Sequence, residues 1–257
     1  MKSQIFIRCW EGDLEWQDML LRSIARYWKS LEAPVVIIAT PECEGRICTT
    51  HVPVRISYMP KLNPQKRGAV FIAFNADRYM DADTDVIVFM DNDCVFCQHS
   101  SIHDLMDHEG RFFIRTLHYD RYRNWHSNAT EQDFSLFREN IRVDFDFDDD
   151  QHHMWWFPYA YWKTHITECR ETIEANNGCD LYSVMCKYPE GKYSEFAHFG
   201  TYVKLYHPDK YVFCEEGSWP PCIAIQFHSW TEKPSNPTIY RVLWGLNIVD
   251  SSIRWNN

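Results

Sequence analysis

The apolar run Ile5-Phe6-Ile7 between Gln4 and Arg8, closed by Cys9, is rich in branched and aromatic side chains, which predicts a strand over Gln4 to Cys9. Gly12 and Asp13 open the next element, with Asp13 as its N-cap. Trp16, Leu20, Ile24 and Trp28 then recur at four-residue intervals, which puts an apolar stripe on one helical face. Val35-Val36-Ile37-Ile38-Ala39 is a continuous apolar run between Pro34 and Pro41, the pattern of a strand buried on both faces of a parallel sheet. A third strand is expected over Val54 to Tyr58. Asn63-Pro64 supplies a cap and a first-turn proline for a second helix, whose buried face carries Ala69, Ile72, Ala73, Ala76 and Met80. Val86-Ile87-Val88-Phe89-Met90 repeats the doubly buried pattern and runs into Asp91-Asn92-Asp93. Repeated βαβ units of this kind predict an α/β fold, a mostly parallel central sheet with helices on both faces.

The second half is less regular. Phe112 to Arg115 predicts a short strand, and the acidic run from Asp144 to Asp150 predicts a solvated loop because its charges repel one another. Asp148, Asp149, Asp150, His152 and His153 are metal-ligating types, but the loop reading is preferred for them. Helical patterning returns from Lys163 to Asn176, with Gly178 as its stop, and from Ser194 to Tyr206, with Pro208 beyond. A strand is expected over Ile223 to Phe227, and the tail after it carries little pattern. With no internal repeat and no low-complexity linker, the expectation is one domain over residues 1–257.

Composition narrows the function classes. The chain has 257 residues, 45% of them hydrophobic, and a formal net charge of -10. That balance disfavours nucleic acid as a partner, since gripping phosphates along a strand needs a basic footprint. It leaves room for a small phosphorylated ligand, because a divalent cation held by carboxylates can neutralise a diphosphate. No apolar run reaches the length of a membrane span, and the N-terminal segment breaks off at Arg8, so a cytoplasmic protein is expected. The ten cysteines are scattered through apolar segments, as at Cys9, Cys169 and Cys186, which predicts reduced and mostly buried thiols. Cys94 and Cys97 have the spacing of a redox or zinc pair but lack a second pair.

The Asp91-Asn92-Asp93 triplet is informative through its position. In a doubly wound sheet ligands bind outside the carboxyl ends of the strands, and these two carboxylates follow a buried strand directly. Two acidic side chains at one turn can share a hard cation, which then bridges the oxygens of a bound diphosphate. A plain surface turn is the competing meaning.

The arrangement resembles the nucleotide-sugar-dependent glycosyltransferases of the GT-A fold, which carry an Asp-x-Asp after a hydrophobic strand, as in Val86 to Phe96. Ile7-Arg8-Cys9-Trp10-Glu11-Gly12-Asp13 looks like their first strand and nucleotide loop. Tyr193-Ser194-Glu195-Phe196 with Phe199-Gly200-Thr201-Tyr202 is similar to a motif of transferase-like sequences. The similarity extends over most of the chain and leaves His118 to His153 unmatched. It implies a single GT-A-like, Rossmann-like domain over residues 1–257, with residues 1–100 as the nucleotide-sugar-binding half and residues 101–257 as the acceptor-binding half, and a hexosyl- or pentosyltransferase that moves sugar from a nucleotide diphosphate sugar to a hydroxyl acceptor such as a glycan.

By position, the resemblance implies that Asp93 ligates Mn2+ or Mg2+ and that Asp91 meets the metal or the donor ribose, with Asn92 beside them. His228, in Gln226-Phe227-His228-Ser229-Trp230, would complete the metal set; the alternative is a histidine hydrogen-bonded at a strand end. Glu195 would be the base that takes the acceptor's proton, set in the first turn of a helix capped by Ser194. Acidic residues also favour helix starts for stability alone. Arg8, Trp10 and Asp13 lie where the first strand gives way to a helix, and Lys66 and Arg67 open the second; these five are candidates for donor contacts, against solvated charge or, for Trp10, core packing. The aromatic content, 16% of the chain, is expected to be core, apart from the dense Met154 to Tyr159 cluster, part of which would line an acceptor pocket. The acidic loop would then be placed to close over the donor.

Two other classes compete. Asp91-Asn92-Asp93-Cys94-Val95 also fits the signature of haloacid-dehalogenase-type phosphatases, with Asp91 as nucleophile and Asp93 as acid, although that motif usually follows the first strand and here follows the fourth. A sugar-binding protein that has lost turnover is the non-enzymatic alternative.

Overall fold

The structure, a computed structural model, describes residues 1–60, 65–118, 140, 151–153, 157–188, 193–215, 218, 220–227, 239, 242–243 and 245–248, with the backbone alone at 65, 66, 118, 151 and 152. In chain order the elements are β1 (Ser3–Cys9), α1 (Leu14–Tyr27), β2 (Val35–Ala39), β3 (Val54–Tyr58), α2 (Gln65–Phe74), β4 (Val86–Asp91), β5 (Cys94–Phe96), β6 (Phe112–Arg115), β7 (Leu117–His118) and β8 (Gln151–His152). They continue with β9 (Tyr159–Trp162), α3 (Lys163–Asn177), α4 (Leu181–Cys186), α5 (Glu195–Tyr206), β10 (Tyr211–Cys214) and β11 (Ala224–Gln226).

The apolar runs become one five-stranded sheet, ordered β3-β2-β1-β4-β9. The first four strands are parallel, and β9 closes the far edge antiparallel to β4, pairing Phe89 with Tyr159 and Val86 with Trp162. Every residue of β2 is buried, as the continuous apolar run requires, while β3 at the open edge is half-exposed. This is an α/β, Rossmann-like architecture with a mixed, mostly parallel sheet flanked by helices. Among the described residues no helix is long and apolar enough to cross a membrane.

α1 follows its expected stripe and buries Trp16, Leu20 and Ile24, with Trp28 just past its end. α2 is shorter than expected: it stops at Phe74, where the Asn75 side-chain amide donates back to the Phe71 carbonyl at 2.8 Å, so Ile72 and Ala73 are buried on it but Ala76 falls in the 3-10 turn Ala76–Tyr79 and Met80 beyond that turn. Asn63 and Pro64 lie outside the described residues. Asp13 stands at the N-cap of α1, but its side chain accepts no hydrogen bond from the helix, because a 3-10 turn at Glu11–Asp13 already leads the chain in. Ser194 does cap α5, its hydroxyl accepting from the Ala197 N–H at 3.3 Å. α3 ends at Gly178 with φ 63°, the left-handed conformation that lets a glycine stop a helix. The short α4 lacks a long periodic stripe; Cys186 at its end is exposed, against the expectation of a buried thiol.

Two cores result. The larger fills both sides of the sheet, and the second joins Trp16 and Met19 of α1 to Val95, Phe227, Ile239, Leu243 and Ile248. Trp16 stacks on Phe227 with ring centroids 5.0 Å apart, so the tail beyond β11 carries core residues despite its weak pattern. Phe157 and Tyr159, expected near an acceptor pocket, are buried against Phe196; Met154 to Trp156 and the acidic run 144–150 lie outside the described residues. His153, expected in a solvated loop, is fully buried under α5. Gly200 makes that possible: a Cβ at this position would collide with the Cβ and Cγ of His153.

A buried ion pair fastens α3 to the segment after α2. The two Nη atoms of Arg170 engage the two carboxylate oxygens of Asp77, Nη2 to Oδ2 at 2.9 Å, while Nη1 also donates to the Phe74 carbonyl at 3.0 Å. The Thr167 hydroxyl donates to Asp77 Oδ2 at 2.7 Å.

Candidate functional site

The strand order places a crevice. From β1 the chain steps outward to β2 and β3, then returns across β1 to β4, so the winding reverses between β1 and β4. Side chains at the carboxyl ends of these two strands face the position where open α/β sheets bind ligands. Arg8 and Asp91 occupy it, as register partners in the parallel pairing.

Arg8 is the centre of the site. Its Nη2 donates to Asp91 Oδ1 at 2.9 Å, and its Nη1 donates to Glu195 Oε1 and to the Ala69 carbonyl of α2 at 3.1 Å. One guanidinium thereby joins β1, β4, α2 and the first residue of α5. The Arg8 side chain is only 11% exposed and that of Glu195 only 8%, whereas Asp91 remains 31% exposed. Burial acts to lower the Arg8 pKa, but the charges of Glu195 and Asp91 outweigh it and raise the pKa above the ordinary arginine value. Glu195 reaches Arg8 because Ser194 starts α5 there and Phe196 and Phe199 anchor that helix on Phe89 of β4.

The turn after β4 holds the other candidates. Asp93 is buried; its carbonyl accepts from the Phe227 N–H at 2.7 Å, and its Oδ1 accepts from Gln226 Nε2 at 3.3 Å. The end of β11 is thus brought to this turn by the antiparallel pairing of β11 with β5. His228 is the next residue and lies outside the described set. Asn92 is buried beside the Cys9 thiol, and within the described residues its amide finds no partner of normal hydrogen-bond geometry.

The remaining candidates are dispersed. Trp10 is half-buried against the main core, its carbonyl accepting from the Asp13 N–H at 3.0 Å. Arg67 turns to the end of α4, donating to the Tyr188 carbonyl at 2.9 Å, and the Lys66 side chain lies outside the description. Cys94 is a poor redox group: burial and then the neighbouring Asp93 and Asp91 charges push its thiol pKa well up, and burial raises that of Cys97 too. Sequence reasoning missed Gln226 as a partner of Asp93, although it stands two residues before His228. It also missed that Arg8 and Glu195 meet, which no local pattern carries.

As a donor set, the carboxylates of Asp91 and Asp93 offer hard oxygen ligands at one turn, suited to Mg2+ or Mn2+. Among the described residues neither belongs to a group of three metal-ligating side chains within reach of one another. No protein-family model matches the chain, and no curated protein matches it.

Two buried histidines near α5 give the fold an acid limit. Burial lowers the pKa of His198 to about 4 where its Nδ1–H donates to the Ser194 carbonyl, and burial followed by the adjacent His207 lowers that of His165 to about 4. In the unfolded chain both return to about 6.5, so the unfolded state takes up protons that the folded state refuses. Stability is therefore lost as pH falls from about 6.5 to about 4, by up to about 3 kcal/mol for each histidine. The melting temperature should fall across that window; a constant value between neutral pH and pH ~4.5 would contradict the assignment.

Proposed function

We propose that the protein is a metal-dependent glycosyltransferase that moves a sugar from a nucleotide diphosphate sugar to a hydroxyl acceptor. The observation that carries this reading is the meeting of Arg8, Asp91 and Glu195 at the reversal point of the sheet, two residues before Asp93. Asp91, the most exposed of the three, would face the donor, and Asp93, held by Gln226 and the backbone of Phe227, would hold the cation with it. When bound, the ion supplies positive charge against the leaving diphosphate. Arg8 orients Glu195 through Oε1, which leaves Oε2 to accept the proton of the attacking hydroxyl.

One observation favours a second role for Glu195. Its side chain is almost enclosed and committed to Arg8, as expected of an anchor that aims the guanidinium toward the site. Glu195→Gln separates the two roles. A base requires transfer to stop while donor binding persists; an anchor requires donor binding and stability to weaken together.

The wider test is a thermal-shift panel of nucleotide sugars with Mn2+ or Mg2+, followed by donor hydrolysis assays. A donor at ~100 times its Kd adds about 2.7 kcal/mol of stability. Stabilisation by one class of nucleotide diphosphate should require the metal, and Asp93→Ala should abolish that metal-dependent stabilisation. Indifference to every donor with and without metal would overturn the proposal.

A further inference from the structure

We propose that Asp18, Cys48 and His51 form a binding site for a zinc-type transition-metal ion, built from residues other than those of the Asp91–Asp93 turn. Asp18 comes from the first half of α1, and Cys48 and His51 from the connection between β2 and β3. One ligand atom from each lies within 4.8 Å of the other two, and His51 Nε2 is 2.9 Å from Asp18 Oδ1. Ligands around a tetrahedral zinc stand about 3.3–3.7 Å apart, so the three side chains are at the right scale and need only small rotations to converge.

The donors decide the class of ion. A thiolate, an imidazole and a carboxylate are the set that zinc accepts, whereas magnesium and calcium take oxygen alone. One thiolate and one carboxylate balance a dipositive ion. Outer partners are already in place: Arg22 Nε donates to Asp18 Oδ2 at 2.9 Å, which turns Oδ1 toward His51, and the Thr50 hydroxyl lies 3.3 Å from Cys48 Sγ. Such second contacts orient ligands in metal sites. All three ligating residues are half-buried, which leaves an entry path and a fourth position for water. Binding replaces the Asp18–His51 contact and releases the Cys48 thiol proton, so affinity should rise with pH.

A second cluster, His165, Glu168 and His207, is less suited to an ion. Its two imidazoles are stacked 3.6 Å apart and 8° from parallel, so their lone pairs run side by side, and His165 Nδ1 is engaged by the Tyr211 hydroxyl at 2.9 Å.

The consequence of the Asp18 site is mechanical. The long connection over residues 40–53 is held by the buried Cys43, Ile47 and Val52, and the ion would add a polar clasp onto α1. That helix starts just after Arg8 and Trp10, so the clasp steadies the near wall of the crevice.

Cobalt(II) chloride titrated into the full-length protein tests the proposal, because only a thiolate ligand gives a sulfur-to-cobalt charge-transfer band. One equivalent should produce that band, Cys48→Ser should remove it, and His51→Gln should weaken binding by roughly tenfold or more. In the unaltered protein, zinc chloride should slow alkylation of Cys48 while the exposed Cys186 and Cys222 react as before, a readout that does not depend on any variant folding. Absence of the band, its persistence in Cys48→Ser, or unprotected Cys48 would each overturn the site.

Discussion

Arg8→Met should destabilise the protein by about 3–5 kcal/mol, because it leaves Glu195 and Asp91 facing one another without their shared cation. For a chain of this length that corresponds to a fall in melting temperature of roughly 6–20 °C. The reason lies in burial: Glu195 is enclosed, so the lost cation is not replaced by water. Adding Glu195→Gln to the same chain should recover part of the loss, since a neutral amide needs no counterion. The recovery appears as a coupling energy in a double-mutant cycle read by urea or thermal unfolding. A cost below ~1 kcal/mol for Arg8→Met would mean that the guanidinium is not the counterion at this point.

The second large effect is expected far from the crevice. Asp77→Asn keeps the shape of the side chain but leaves Arg170, buried in the interface between α3 and the segment after α2, with an uncompensated charge. The expected loss is about 3–5 kcal/mol. Thr167→Val, which removes only the hydroxyl donated to Asp77, should cost about 1 kcal/mol. Replacing both Asp77 and Arg170 by leucine should be much milder than either single change, because buried ion pairs are often matched by well-packed apolar groups. Chemical denaturation of Asp77→Asn, Thr167→Val, the two single leucine variants and the double leucine variant checks the series, and equal costs for the single and double leucine changes would refute the pairing argument.

Much of the sheet is legible from residue order, for a physical reason. Strands buried on both faces must be apolar throughout, and β2 and β4 say so without help from the rest of the chain. The helix boundaries at Ser194 and Gly178 are equally local, since a cap or a left-handed stop needs only its own turn. β9 escapes because Tyr159, Ala160 and Tyr161 are all buried and follow an aromatic cluster, so their composition suits a binding wall as well as an edge strand. Asp13 fails as a side-chain cap because the 3-10 turn before α1 is set by its own backbone hydrogen bond to Trp10.

The site divides in the same way. Asp91 and Asp93 can be picked out because they end a strand, and Arg8 because it lies near the end of another. That Arg8 grips Glu195, 187 positions later, depends on α5 docking over β4, which is a property of the folded sheet. The same holds for Asp77 and Arg170, 93 positions apart, which no spacing rule connects.

The pairing of β4 with β9 also sets a timetable for synthesis. β4 is complete at Asp91, yet the strand that covers its outer edge ends only at Trp162. At about 5–20 residues per second a ribosome takes roughly 4–14 s to cross that interval. Throughout it the nascent chain carries the open edge of an apolar strand, Val86 to Met90, a template for pairing with another chain. Any fragment that stops before Tyr159 keeps that edge, so the late antiparallel strand is also the step that makes the first half of the protein safe from its own copies.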